Sequence, residues 1–351
     1  LEIRGVDISS LPQVEDCGGA FYDDQGRQQD IFTILGDHGI NYIRVKLWHT
    51  PANEYNDLEH VKAMALRIKG AGMGFLLDFH YSDKWADPAK QYKPAAWKGL
   101  TYEGLQAAVR QYTAGVLSRL LEQGTDPDIV QIGNEIPNGM LWDDGKLDGS
   151  ADQHTRLAGL LKAGIDGVKD AGAAARIMLH LDQGGNNALY VTWFDGMIAE
   201  GVEFDVIGLS FYPWWHGELS SLEANMADLA ARYGKDMIVV ETSYAYTPAN
   251  EDHMPNIAGP DQQVSGYPIS VEGQASWLRD IMNVVSSVPD GLGKGVLYWE
   301  PAWLAVPGCG WNPEDPASGN EWENQTLFDS GGKALPSMAV FLEFAGAEER
   351  R

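Results

Sequence analysis

The sequence predicts a single (β/α)8 barrel, and three observations carry that prediction. Eight short apolar runs recur along the 351 residues, and segments with helical period lie between them. No Pro/Gly/Ser-rich linker divides the chain, so residues 1–351 read as one domain. A doubly wound open sheet is the competing fold, but no G-x-G-x-x-G follows the first strand.

In order, the runs are "IRGVDIS" (3–9), "YIRVKLW" (42–48), "GFLLDFH" (74–80) and "DIVQIGNE" (128–135). Then come "RIMLHLD" (176–182), "DVIGLSFY" (205–212), "DMIVVET" (236–242) and "GVLYWEP" (295–301). Most are near-continuously apolar, as strands of a parallel sheet covered on both faces should be. Between them, "NDLEHVKAMALRIKGAG" puts Leu58, Val61, Met64, Ala65 and Ile68 on one face and ends in glycines, a helix stop. "YEGLQAAVRQYTAGVLSRLLEQG", "QHTRLAGLLKAGIDGVKDAG" and "VEGQASWLRDIMNVVSSV" behave alike, and the chain ends in a charged "AEERR".

Composition narrows the partners. The chain carries 25 Lys+Arg against 50 Asp+Glu, a formal charge of −25. Such a surface repels phosphate backbones and anionic lipid, so neither nucleic acid nor membrane is an expected partner. No apolar run approaches the ~20 residues of a membrane span. The sequence begins at Leu1, which fits removal of a signal peptide or a cloning boundary equally. Location outside the cell or on its surface, and a monomer, are the expectations. Two cysteines, Cys17 and Cys309, give neither a disulfide framework nor zinc spacing. They lie in Gly-rich loops after the first and last strands, which adjoin when a barrel closes. Either a disulfide or two buried thiols suits that placement.

Active sites of such barrels lie at the C-terminal strand ends. Those ends carry Asp7; Arg44 and Trp48; Asp78, His80 and Asp83; Asn134 and Glu135; Asp182; Ser210 and Tyr212; Glu241; Trp299 and Glu300. Stability does not require polar or aromatic groups there, whereas a ligand site does. Glu135 and Glu241 end strands four and seven, on opposite sides of the barrel. A lone strand-end Glu is as often bound to an Arg or a helix N-terminus. Two facing each other suit glycosidic bond cleavage, in which one carboxyl gives a proton and the other attacks or activates water.

The motifs around this pair carry a resemblance. "GNE" after strand four and "VVET" at strand seven resemble glycoside hydrolase clan A. "RGVDIS", "IRVKLW", "LDFHYSDKWADPAKQ", "IVQIGNEI", "IMLHLD", "GLSFYPWW" and "YWEPAW" resemble, in order, the blocks of family 53, the endo-β-1,4-galactanases. They span residues 4 to about 342. The resemblance implies Glu135 as acid/base and Glu241 as nucleophile of a retaining enzyme acting on galactan side chains of pectin. No catalytic cofactor is implied. His80 and Tyr212 match clan positions that orient the carboxylates, with a core histidine the other reading of His80. By its own chemistry Arg44 could hold the nucleophile's charge or serve a structural ion pair. Asn134, which cannot titrate, can donate to the sugar 2-hydroxyl. Trp299 would lie beneath the sugar and Asp182 would bind hydroxyls away from the cut, while Trp85 and Trp303 read either as an extension of that platform or as ordinary loop packing. Bacterial members tie the loops after strands seven and eight with a calcium ion. Here Asp252, His253, Asn256, Asn320 and Glu323 stand near the expected places, though solvated loop polarity reads equally well. The alternatives are a clan A hydrolase of mannan or cellulose and a sugar-binding barrel without catalysis.

Overall fold

Eight parallel strands close into a barrel among the described residues, 1–346, of the computed structural model. They are β1 (Ile3–Asp7), β2 (Tyr42–Leu47), β3 (Gly74–Phe79) and β4 (Ile129–Ile132), followed by β5 (Arg176–Leu181), β6 (Val206–Ser210), β7 (Asp236–Thr242) and β8 (Gly293–Trp299). Each pairs with the next, and β1 pairs with both β2 and β8. The charged end 347–351 lies outside the described residues. All eight runs read from the sequence are strands; β7 keeps its full run, and the other seven end one to three residues earlier, where the chain turns into the top loops.

Helices cover the outside. The four read from periodicity span Leu58–Gly70, Tyr102–Glu122, Gln153–Asp170 and Val271–Ser286. Three more, Ile31–Asp37, Asn187–Ala199 and Leu219–Tyr233, complete the alternation. Asp30, Asp57, Thr101, Asn186 and Ser270 cap their helices by accepting a backbone N–H from the first turn. No helix among the described residues is long and apolar enough to cross a membrane.

The barrel interior explains where the site lies. A sealed apolar layer is made by Ile3, Leu76, Ile129, Met178, Val206, Ile238, Val240 and Leu297. Side chains two residues further along a strand point the same way. Above Leu76, Ile129 and Met178 that places Asp78, Gln131 and His180, all fully buried. Arg44 stands above Tyr42. A polar layer therefore rests on an apolar plug. Gly208 makes room for it, since a Cβ there would come within 2.8 Å of Met178 Sδ and 3.3 Å of His180 Cβ.

Strand β7 breaks the alternation. Its partners step from Leu209↔Val239 to Ser210↔Glu241 on one side, and from Val296↔Val239 to Tyr298↔Thr242 on the other. One extra residue is thus accommodated around Val240, a β-bulge. Val240 belongs to the interior layer, yet the next residue, Glu241, also faces inward into the cleft. Thr242 then turns out toward the helix that follows, where it accepts a hydrogen bond from Trp277 Nε1 at 3.1 Å.

At the seam between β1 and β8, Cys17 and Cys309 form a disulfide, with Cα atoms 6.3 Å apart and a sequence separation of 292. The ends adjoin as well: the Leu1 ammonium donates to the Phe344 carbonyl at 2.9 Å.

Candidate active site

Arg44 organises the polar layer. Its Nη1 donates to Asp7 Oδ2 at 2.9 Å and Glu241 Oε1 at 2.8 Å. Its Nη2 donates to Asp78 Oδ2 at 2.9 Å and Asn134 Oδ1 at 2.8 Å. Strand register explains this, because Asp7 pairs directly with Arg44 across β1 and β2. Burial opposes the Arg44 charge, but Asp78, Glu241 and Asp7 outweigh it and raise its pKa. The guanidinium is a permanent cation beneath Glu241.

The two carboxylates share this floor but differ in surroundings. Glu241 accepts from Arg44 and, at 3.0 Å, from the Tyr212 hydroxyl. Burial pushes its pKa up to about 7 while Arg44 pulls the other way. Glu135 has no cation contact among the described residues, and its Oε1 accepts from Ser210 Oγ at 2.6 Å. Burial, then the charge of Glu241, raises it well above the ordinary carboxylate range. Glu241 therefore ionises first and Glu135 keeps the proton. An oxygen of each, together with a His180 ring nitrogen, lie within 4.8 Å of one another. A protonated and an ionised carboxyl at that spacing match retaining glycosidases, at about 5–5.5 Å, rather than the wider inverting pair.

Glu135 reaches its position through strain. β4 ends at Ile132, and both Gly133 (φ 81°) and Glu135 (φ 44°) take left-handed backbone. For a non-Gly residue this costs of order 1 kcal/mol or more. Gln91 Nε2 secures the turn by donating to the Asn134 carbonyl at 2.8 Å and the Glu135 carbonyl at 3.1 Å.

Above the pair opens a cleft of about 330 Å³. Trp85 lies near Trp299 and Trp303, ring centroids 6.0 and 5.9 Å apart, and Trp322 meets Trp299 edge-on at 4.6 Å. The Lys46 ammonium sits 4.3 Å over the Trp85 ring and 3.2 Å from Glu300 Oε1. Asp182 lines the opposite side; its Oδ1 is buried without a partner, and burial raises its pKa to about 6. A sugar hydroxyl would satisfy that oxygen.

The residues expected from the sequence thus largely converge. Arg44, His80, Trp85, Asn134, Glu135, Asp182, Tyr212, Glu241, Trp299 and Trp303 all line the cleft. His80 departs in its contacts. It bonds Asp78 at 3.0 Å and receives Trp48 Nε1 and the Ala86 N–H, so it braces the floor and touches neither carboxylate. Asp83 is also not a cleft residue, since it accepts the Thr50 and Ala95 N–H groups and ties loops. Sequence reasoning missed Gln131 and His180 beneath the pair and Trp215, Trp311 and Trp322 at the rim.

Asp252, Asn256, Asn320 and Glu323 lie where the loops after β7 and β8 meet. Asp252 Oδ2 accepts the Asn320 N–H at 2.7 Å, and the Glu251 N–H bonds Glu323 Oε1. Asn256 Oδ1 and Glu323 Oε2 are buried without partners. Burial raises the Glu323 pKa and the Asp252 charge adds to that, while the hydrogen bond from the Glu251 N–H opposes it. Orphaned oxygens among acidic groups fit an oxygen-seeking dication. His253 is exposed.

A closed (β/α)8 barrel with two unlike carboxyls facing across an aromatic cleft defines a barrel glycoside hydrolase. The chain belongs to glycosyl hydrolase family 53, which matches residues 3–341. The Ignisphaera aggregans GH53 catalytic domain superposes with a TM-score of 0.92 at 41% identity, over 98% of this chain and 96% of that one. An arabinogalactan endo-beta-1,4-galactanase of Cellvibrio japonicus is 38% identical over 96% of this chain and 89% of its own length. An endo-beta-1,4-galactanase of Bacillus subtilis is 36% identical over 97% and 85%.

Proposed function

We propose that the protein is a retaining endo-β-1,4-galactanase acting on galactan side chains of pectin outside the cell. The observation that carries the chemistry is the asymmetric pair, with Arg44 and Tyr212 on Glu241 and Ser210 alone on Glu135. The relatives named as galactanases supply the substrate class.

In the first step Glu135 gives its proton to the leaving oxygen while ionised Glu241 attacks the anomeric carbon, forming a glycosyl ester. Water, deprotonated by the now ionised Glu135, then displaces Glu241 and restores both groups. Arg44 and the Tyr212 hydroxyl, whose pKa burial and the carboxylates hold well above its usual value, keep Glu241 ionised and aimed. Asn134 Nδ2 donates one hydrogen to the Ala86 carbonyl, and its other hydrogen serves the sugar 2-hydroxyl. Trp299 carries the sugar face, Trp85 and Trp303 extend the platform along the cleft, and Asp182 Oδ1 accepts from a hydroxyl. The open aromatic cleft suits internal cuts in a polymer. A Ca²⁺ held by Asp252, Asn256, Asn320 and Glu323 would supply only rigidity, fixing the two loops; EDTA should lower Tm and added Ca²⁺ restore it.

Reducing-end release from galactan, mannan and carboxymethylcellulose tests the reading, with short galacto-oligosaccharides as the expected products of galactan. Glu241→Gln should abolish turnover with Tm preserved. Glu135→Gln should lose 10²–10⁴-fold on galactan and less on an activated aryl galactoside. Azide should rescue Glu135→Ala and give a β-glycosyl azide. Wild-type galactan activity in both Gln variants would refute the assignment.

A further inference from the structure

The buried side chains beneath Glu135 form a chain whose donor and acceptor roles can be worked out. Gln131 Oε1 accepts from Arg44 Nε at 3.2 Å and Nη2 at 3.1 Å, and Arg44 can only donate. The Gln131 amide nitrogen must therefore face away from Arg44, where its two hydrogens are shared among the Gly133 carbonyl at 2.9 Å, His180 Nδ1 at 3.1 Å and Asn134 Oδ1 at 3.2 Å. The backbone N–H of Glu135, an immovable donor, points at the same Nδ1 from 3.4 Å. Among the described residues the acceptor near Nδ1 is Asn134 Oδ1 at 3.1 Å, which already receives Arg44 Nη2 at 2.8 Å and faces Gln131 Nε2 at 3.2 Å. A proton on Nδ1 would face the fixed Glu135 N–H and leave that part-buried backbone donor unpaired, at a cost of up to ~1–3 kcal/mol. Nδ1 is thus the acceptor. With the imidazole neutral, its hydrogen is on Nε2.

Direction then propagates. His180 Nε2–H donates to Ser210 Oγ at 2.8 Å, so the single Ser210 hydrogen goes to Glu135 Oε1 at 2.6 Å. Oε1 is an acceptor in either protonation state of Glu135. No group among the described residues hydrogen-bonds Oε2. We infer that Gln131, His180 and Ser210 form a one-way hydrogen-bond relay that confines the exchangeable proton of Glu135 to Oε2, toward the bond to be cut. His180 and Ser210 are positioning residues: neither gives nor takes a proton in turnover. Burial, with Arg44 nearby, holds His180 far below its usual pKa, consistent with an imidazole that never charges. Ser210, by donating to the ionised carboxylate, makes proton release to the leaving oxygen easier than burial alone would allow.

The inference rests on Glu135 as acid/base, and two measurements separate the claims. Nitrogen-15 NMR of wild-type enzyme, with the His180 signals assigned by their loss in His180→Gln, should show a neutral Nε2–H imidazole at every pH at which the protein is folded. An Nδ1–H tautomer or an imidazolium overturns the relay even if Glu135 is the acid. Ser210→Ala removes the donor to ionised Glu135. The groups otherwise facing Glu135 (Glu241, Asp182, Asp87 and Tyr212) stay in place. The alkaline limb of kcat/KM should move up by about one pH unit. Activity on galactan should fall ~10-fold more than on an aryl galactoside with a good leaving group. His180→Gln, which keeps a donor toward Ser210 and leaves the Ser210 hydroxyl on Glu135, should hold the wild-type limb. An unmoved limb in Ser210→Ala overturns the relay. Should that variant not fold, the tautomer measurement decides alone.

Discussion

Two glutamates of one chemical type leave the barrel with opposite charge states because of what touches them. Glu241 rests on a guanidinium and a phenol; Glu135 rests on one hydroxyl at the cleft wall. The pH profile follows with a definite sign. Activity needs Glu241 ionised, so kcat/KM should rise with pH as that group, pushed up to about 7, loses its proton. It should fall again as the still higher Glu135 ionises. The two limbs are apparent values of the pair, and Arg44→Met, which removes the pull on Glu241, should move the acid limb upward. A profile whose acid limb ignores that substitution would contradict the pairing.

At the scale of the strand, the sequence shows the inward phase but not where it changes. Leu76, Ile129 and Met178 are inward, so Asp78, Gln131 and His180 could have been read as a buried polar tier by counting two. His180, hidden inside "RIMLHL", was the legible miss. The bulge in β7 was not legible. "DMIVVET" is apolar on both faces, and a period of two would send Glu241 outward with Val239. Only pairing with β6 and β8, which is non-local, inserts Val240 and turns Glu241 into the cleft. The loop residues meeting across β7 and β8 were legible as a polar set, whereas their partners depend on where each loop folds. The tight contact at Gly208 gives this scale its prediction. Gly208→Ala forces a methyl within 2.8 Å of Met178 Sδ and crowds His180. It should lower stability by ~1–3 kcal/mol and impair activity at temperatures where the variant remains folded, read by chemical denaturation and initial rates.

The whole barrel stores a further titration in its floor. Burial raises Glu300 and Glu241 to about 7 and Asp182 to about 6, against Lys46 and Arg44 at the first two. A carboxyl whose folded pKa lies above its unfolded one stabilises fully below the unfolded value, and that stability is lost as pH rises through the folded value. Tm should therefore decline from pH 5 to pH 8. Repulsion within a chain of formal charge −25 acts in the same direction. A Tm that climbs over this interval would show that the floor is already ionised at pH 5.

The bridge across the β1/β8 seam gives the molecule a property that ordinary barrels lack. With Cys17 joined to Cys309, the stretch of chain between them is a covalent ring. A protease that nicks any exposed loop between those cysteines cuts a circle rather than a line, and both halves stay on one covalent body. Under non-reducing denaturing electrophoresis, singly nicked enzyme should migrate as one species of full mass and resolve into two fragments only after thiol is added.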